Sequence, residues 1–363
     1  MKKMRVGVLY GGRSGEHEIS LASAAAVIAH LDPARYETVP IRIEKDGRWR
    51  VAARPPESIK ASEVIEASRG ATARTEIAER EAYLAPCPGD TTFHLDVMFP
   101  VLHGPYGEDG TVQGLLELAD VPYVGAGVLG SAVGMDKAAM KLVFAASGLP
   151  IVKHETVLRR DWLTDTRGLV KGLIASLGLP VFVKPANLGS SVGISKVKTE
   201  DQLAPAMDLA AGFDRKIVIE AAVPNAREIE CGVLGNDRPN ASIPGEIRPP
   251  ATREFYDYEA KYLDEASETI IPAPLSPAQV VEVQRLAVAA FRAIDAAGFA
   301  RVDFLLNRQT GDLYLNEVNT IPGFTTISMF PKLWEASGLC YSELLDRLIE
   351  LALERHAEKQ ELK

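Results

Sequence analysis

The chain's 363 residues are too many for one core of ordinary size, and a composition 47% apolar and 25% charged is that of a folded globular protein, so two or three domains around a shared cleft are expected. A formal net charge of −9 excludes broad binding of nucleic acid or anionic membrane, which needs a basic face, and confines any phosphate binding to a local site. Cys87, Cys231 and Cys340 are too few and too scattered for a disulfide framework or a zinc site, no run nears the roughly 18 to 20 apolar residues of a membrane helix, and Gly11 and Gly12 cut the first apolar stretch too short for a signal peptide, so a soluble cytoplasmic protein is expected.

The chain opens as strand, turn and helix: Arg5–Tyr10 is apolar, Gly11–Gly15 is a turn, and Glu18–Leu31 is an alanine-rich helical pattern, as at the start of an α/β layer. Val39–Ile43 reads as a second strand. Asp96–Leu102 reads as a third, running into HGPYGEDG with a helical Gly114–Leu118 beyond; Lys45–Thr92 between them has no clear period and no assigned chemistry. A second, smaller module follows from about Ser131, with a helix at Lys137–Ser147, strands at Glu155–Leu158, Val181–Lys184 and Ile217–Glu220, and a glycine loop between the last two. From Arg227 onward come strands at Ile229–Leu234, Ala300–Leu306 and Leu313–Val318 and helices at Pro277–Ala297, Met329–Ser337 and Tyr341–Arg355. The expected domains are therefore 1–130, 131–224 and 225–363.

Chemistry concentrates in RVDFLL (301–306) and LYLNEVN (313–319), which read as a hairpin turning at Asn307–Asp312. Alternation puts Arg301 with Asp303 on one face, and Glu317 with Asn319 on one face of the partner strand. Asp303, Glu317 and Asn319 offer hard oxygens suited to Mg²⁺ held jointly with phosphate oxygens, although an isolated pair of such strands reads equally well as a solvated hairpin. In VFVKPANLGSSVGIS a strand delivers Lys184 to a Gly189–Gly193 loop whose backbone N–H groups can approach phosphates; an ordinary glycine/serine turn is the alternative. Lys137 opens a helix in MDKAAMK, where a surface lysine is the plain alternative, and Glu220 and Glu228 are candidate acceptors for an adenine amino group and ribose hydroxyls.

Taken in order, GGRSGEHEIS (11–20), HGPYGEDG (103–110), MDK (135–137), VKPANLGSSVG (183–193), FYDYEAKY (255–262), RVDF (301–304) and NEVNTIPGFT (316–325) span nearly the whole chain and resemble the D-alanine–D-alanine ligases. The resemblance implies an ATP-grasp fold: a Rossmann-like α/β N-terminal domain, a small central α+β domain and a C-terminal α+β domain. It further implies that Lys137, Lys184, Glu220 and Glu228 hold ATP, that Ser190, Ser191, Val192 and Gly193 close over its phosphates, and that Ala221 and Val223 flank the adenine. Both of the latter are smaller than the residues many relatives carry. Asp303, Glu317 and Asn319 would bind two Mg²⁺, with Mn²⁺ able to substitute.

By the same resemblance Glu16, with Ser190 and Tyr262, clamps the first D-alanine, and His103 lies near it or serves as a hydrogen-bonded structural histidine. Arg301 and the Gly323 N–H face the oxyanion of the tetrahedral intermediate, while Ser328 and Met329, at a helix start, hold the second substrate. Glu246–Leu263, with Phe255 and Lys261, is the expected lid, and its Lys261–Tyr262 pair resembles the dipeptide-forming type. The implied enzyme is a homodimer making D-alanyl-D-alanine for peptidoglycan through an acyl phosphate. The rivals are another ATP-grasp carboxylate–amine ligase, a relative using D-lactate or D-serine as acceptor, and a nucleotide-binding regulator without catalysis.

Overall fold

Continuous apolar runs suit parallel strands covered on both faces, and Met4–Gly11 (β1) is such a run, with Val6, Val8 and Leu9 fully buried. The computed structural model describes residues 2–52, 54–56, 94–248 and 268–362. In it β1 pairs in parallel with Tyr36–Ile43 (β2) and with Val97–Pro100 (β4), while Trp49–Val51 (β3) closes an antiparallel hairpin on β2, in the order β3-β2-β1-β4. Helix His17–His30 (α1) follows β1 across the short turn 12–16, so its N-terminus, with Glu16 before it, stands beyond the carboxyl end of the strand. Thr111–Leu118 (α2), Val128–Met135 (α3) and Lys137–Ala146 (α4) lead out of this layer.

The second sheet comprises His154–Leu158 (β5), Val181–Pro185 (β6), Ser195–Val197 (β7) and Lys216–Ala221 (β8), ordered β5-β8-β6-β7 and antiparallel throughout. Helices Arg159–Thr164 (α5), Thr166–Leu177 (α6) and Glu200–Ala211 (α7) close a core around Trp162, Val183, Leu203, Met207 and Ile217. These three helices escaped the sequence reading; Pro205 inside α7 and the glycines of α6 blur the period that marks a helix.

The third sheet runs β12-β11-β9-β13-β14: Ala226–Gly235 (β9), Gly245–Arg248 (β11), Glu268–Ile270 (β12), Gly298–Asn307 (β13) and Leu313–Asn319 (β14), with Asn240–Ala241 (β10) also on β9. Helix Pro277–Ala293 (α8) covers it, started by a capping box in which Ser276 accepts from the Gln279 N–H and Pro277 presets the first turn. Met329–Ala336 (α9) and Tyr341–Glu361 (α10) end the chain. The buried stripe of α10, Leu344, Leu345, Leu348, Ile349 and Leu351, packs not on its own neighbours alone but into the core of the first sheet, with Val6, Val8 and Phe99. First strand and last helix thus share one core.

Candidate active site

The hairpin pairs as its alternation requires, Arg301 opposite Asn319 and Asp303 opposite Glu317, but the register then slips so that Phe304 faces Leu315. Asn316 is the extra residue of a β-bulge, a device that re-aims a side chain. Here it turns the Asn316 amide oxygen toward Lys184 Nζ, 3.5 Å away, although Glu317, the next residue, also acts on Lys184. Lys184 sits on β6 and Glu220 on the adjacent β8 at diagonal positions of one face, and Nζ donates to Glu220 Oε2 at 2.6 Å. Burial works against the Lys184 ammonium, but Glu220 and Glu317 outweigh it and raise its pKa above the ordinary lysine value.

Helix α4 supplies the next cation. Asp136 caps it, accepting from the Ala138 and Ala139 N–H groups, and so sets Lys137 at the first turn, where Nζ donates to the Leu188 carbonyl at 2.7 Å and lies 4.0 Å from Glu317 Oε2. One turn on, Lys141 is fully buried and its Nζ stands 2.9 Å from Glu220 Oε1, off the hydrogen-bond directions, so that contact is chiefly charge on charge. Burial pushes the Glu220 carboxyl up, yet Lys141 and Lys184 together hold it down at about 2. Lys137 and Lys184 therefore meet the acidic hairpin around one space.

Arg301 is gripped by a two-pronged pair to Asp303, Nε and Nη2 each at 2.7 Å, and its Nε lies 3.0 Å from Glu230 Oε2 on β9. Glu230 pairs across the strands with Asp303, which pairs with Glu317, a row of three carboxylates across β9, β13 and β14. Asn319 Nδ2 donates to Asp303 Oδ2 at 2.9 Å, so its amide oxygen is the atom left for a cation. Among the described residues no three His, Cys, Asp or Glu side chains close a metal cage. Two carboxylates and an amide oxygen fit instead a hard divalent cation shared with phosphate oxygens.

Glu16, buried just before α1, accepts from Ser190 Oγ of the glycine loop, a contact between the first and second sheets' modules. Ser190, Ser191 and Gly193 have φ of 49°, 57° and 72°, and a Cβ on Gly193 would come within 2.7 Å of Phe213, so glycine is required there. Val192 N–H bonds back to the Gly189 carbonyl, closing the loop on itself. His103 is buried, its Nδ1 3.1 Å from the Ile321 carbonyl and its Nε2 3.4 Å from Ser23 Oγ, and burial lowers its pKa. Glu108 accepts from the Gly104 N–H at 2.8 Å, and burial, with Glu16 beside it, pushes its carboxyl up to about 8.

In the PGFT turn a Cβ on Gly323 would meet Ser328 Oγ at 2.9 Å, so the Gly323 backbone and the Ser328 hydroxyl are neighbours. That hydroxyl accepts from the Thr325 N–H rather than capping α9. The Met329 side chain is turned into a core with Ile247 and Leu333, at the N-terminus of α9. Ala221 extends β8 opposite Val181 with Val223 just beyond, and Glu228 pairs between Ile247 and Leu305 while its charge reaches Lys184. Phe255, Lys261 and Tyr262 lie outside the described residues, as does most of 45–92.

Four residues of this site were missed in the sequence. Lys141 had a signal, its spacing of four from Lys137 on one helical face, as did Glu230, two beyond Glu228 on one strand face. Glu108 and Asn316 were both inside quoted motifs, but alternation puts Asn316 on the face opposite Glu317, and only the bulge turns it back.

The chain matches the family models described as D-ala D-ala ligase N-terminus over residues 5–126 and D-ala D-ala ligase C-terminus over 143–350. The chain belongs to the D-alanine–D-alanine ligase family. It is 52% identical to the D-alanine–D-alanine ligase of a Thermoanaerobacter species, over 99% of both chains, and 48% identical to that of Heliobacterium modesticaldum, over 99% of this chain and 97% of the relative. Among solved structures it superposes on the D-alanine–D-alanine ligase from Coxiella burnetii with a TM-score of 0.84, at 38% identity and covering 100% and 97% of the two chains. It also superposes on the VanG D-Ala:D-Ser ligase from Enterococcus faecalis with a TM-score of 0.81, at 31% identity over 97% and 100%. The three-sheet arrangement is thus the ATP-grasp fold of this family.

Proposed function

We infer that this enzyme joins two molecules of D-alanine at the expense of ATP, through a D-alanyl phosphate, and so supplies the dipeptide for peptidoglycan. The observation that carries this reading is the meeting of Lys137 and Lys184 with the Asp303–Glu317–Asn319 hairpin, 4.0 Å between Lys137 Nζ and Glu317 and 3.5 Å between Lys184 Nζ and Asn316. The two ammonium groups draw the triphosphate into line, and the backbone N–H groups of Gly189–Gly193 take its oxygens. Two Mg²⁺, or Mn²⁺, held by Asp303, Glu317 and Asn319 would supply the neutralisation of charge on the transferring phosphoryl group. Glu220 and Glu228 receive the adenosine, with Ala221 and Val223 along the adenine.

Glu16 faces the ammonium of the first D-alanine, whose carboxylate attacks the γ-phosphorus, and Ser190 couples that substrate to the phosphate loop. The Arg301 guanidinium and the Gly323 N–H stand over the oxyanion formed when the second amine attacks the acyl phosphate. Ser328 and the Met329 N–H at the start of α9 take the second carboxylate. The enzyme works in the cytoplasm as a homodimer; no described helix is long and apolar enough to cross a membrane.

Phosphate release with ATP, Mg²⁺ and D-alanine, set against L-alanine, D-serine and D-lactate as second substrates, tests the assignment. Turnover with D-alanine alone supports it, and folded protein that releases no D-alanine-dependent phosphate sinks it. The likeness to a D-Ala:D-Ser ligase favours one second reading, D-serine as acceptor, which product analysis after incubation with both amino acids shows as a mixed dipeptide.

A further inference from the structure

Lys141 touches none of the space where substrates would lie. It is 0% exposed, against 8% for both Lys137 and Lys184, and among the described residues its one ion-pair partner is Glu220. Glu220, itself 2% exposed, is thereby held between two ammonium groups, Lys141 on Oε1 at 2.9 Å and Lys184 on Oε2 at 2.6 Å. Two cations share this one buried carboxylate in direct contact, and Lys184 has beyond it only the longer-range charges of Glu317 and Glu228, so Lys184 is the cation placed to take up an arriving anion. Resting on the nucleotide reading above, that anion is the triphosphate, and it draws on Lys184, the more accessible of the two cations.

We propose that Lys141 is a positioning residue for phosphate binding: it holds Glu220 neutralised so that Lys184 can leave that carboxylate for the phosphates. Without Lys141, each transfer of Lys184 to a phosphate would strand Glu220 as an unpaired buried charge, so Lys184 would stay clamped. The loss falls on the phosphates more than on the nucleoside, because without Lys141 the Glu220 carboxylate stays ionised against Lys184 and can still accept from the adenine amino group.

The test is calorimetric binding of β,γ-imido-ATP with Mg²⁺, and separately of adenosine, to the full chain without D-alanine. Lys141→Met should weaken the imido-ATP about tenfold or more while adenosine changes by less than about threefold, and Lys141→Arg should restore most of the loss. Unchanged imido-ATP affinity, or an equal loss for both ligands as a general structural defect would give, overturns the proposal. Should Lys141→Met fail to fold, the Glu220→Gln background, where there is no charge to neutralise, keeps the question open to measurement: adding Lys141→Met there should alter imido-ATP affinity by less than about twofold, and a tenfold drop overturns the idea. Failure of the nucleotide reading looks different, since wild type would not bind the imido-ATP or Lys184→Met would leave its affinity intact.

Discussion

Arg301 shows how a single side chain can serve structure and chemistry together. Asp303 and Glu230 hold its guanidinium and keep it charged, its pKa raised well above the ordinary value although burial opposes this, so the positive charge that we propose faces the oxyanion is fixed in place. Glu317 is different, because its partly exposed carboxylate faces the cations Lys137 and Lys184 rather than a hydrophobic core. Glu317→Gln should reduce turnover by at least about a hundredfold with a melting temperature within a few degrees of wild type; near-normal phosphate release would remove Glu317 from the site. His103 predicts a pH dependence. Its folded pKa lies below the ordinary 6.5, so the unfolded chain takes up the proton first and stability is lost as pH falls through and below 6.5. His17, lowered for the same reason, adds to the slope, so His103→Asn should flatten the fall of melting temperature between pH 7 and pH 5 without abolishing it.

At the scale of elements, the site depends on where helices begin and strands slip. Asp136 is the cap of α4, and its other oxygen pairs with Lys216, so it ties the helix that carries Lys137 and Lys141 to β8, which carries Glu220. Asp136→Ala should cost about 1 kcal/mol in chemical denaturation and raise the KM for ATP more than that for D-alanine. A change in neither would mean that α4 is held by packing alone. The bulge at Asp303/Phe304 is the strand counterpart: it lets Asn316 and Glu317, consecutive residues, act on the same lysine. Alternation alone would have sent one of them away.

The whole molecule is closed by α10, whose Leu348 is fully buried with Val6, Val8 and Phe99 of the first sheet. Tyr341 at its start donates to the Phe324 carbonyl, beside Gly323, and Phe324 stacks edge-on to Phe99 and Phe299. The turn carrying Gly323, the oxyanion donor we propose, is therefore fixed by aromatic packing between first and third modules. Leu348→Ala should destabilise by about 3 kcal/mol, seen as a lower midpoint in urea, and should weaken the first substrate more than ATP. Loss of stability with unchanged substrate constants would show that α10 braces the core without reaching the site.

The strands and most helices that bear chemistry were legible in the sequence, since their runs and alternation are local properties, and Lys184, Asp303, Glu317 and Asn319 stood out as candidates only because the ordered motifs together outweighed the plain readings of a solvated hairpin and a glycine turn. The sequence could not decide that Lys141 lies on Glu220, that Glu230 braces Arg301, or that the last helix completes the first core. Those contacts join residues far apart in the chain, and which of many charged side chains is buried against which partner is settled only when the three sheets pack and exclude water from between them.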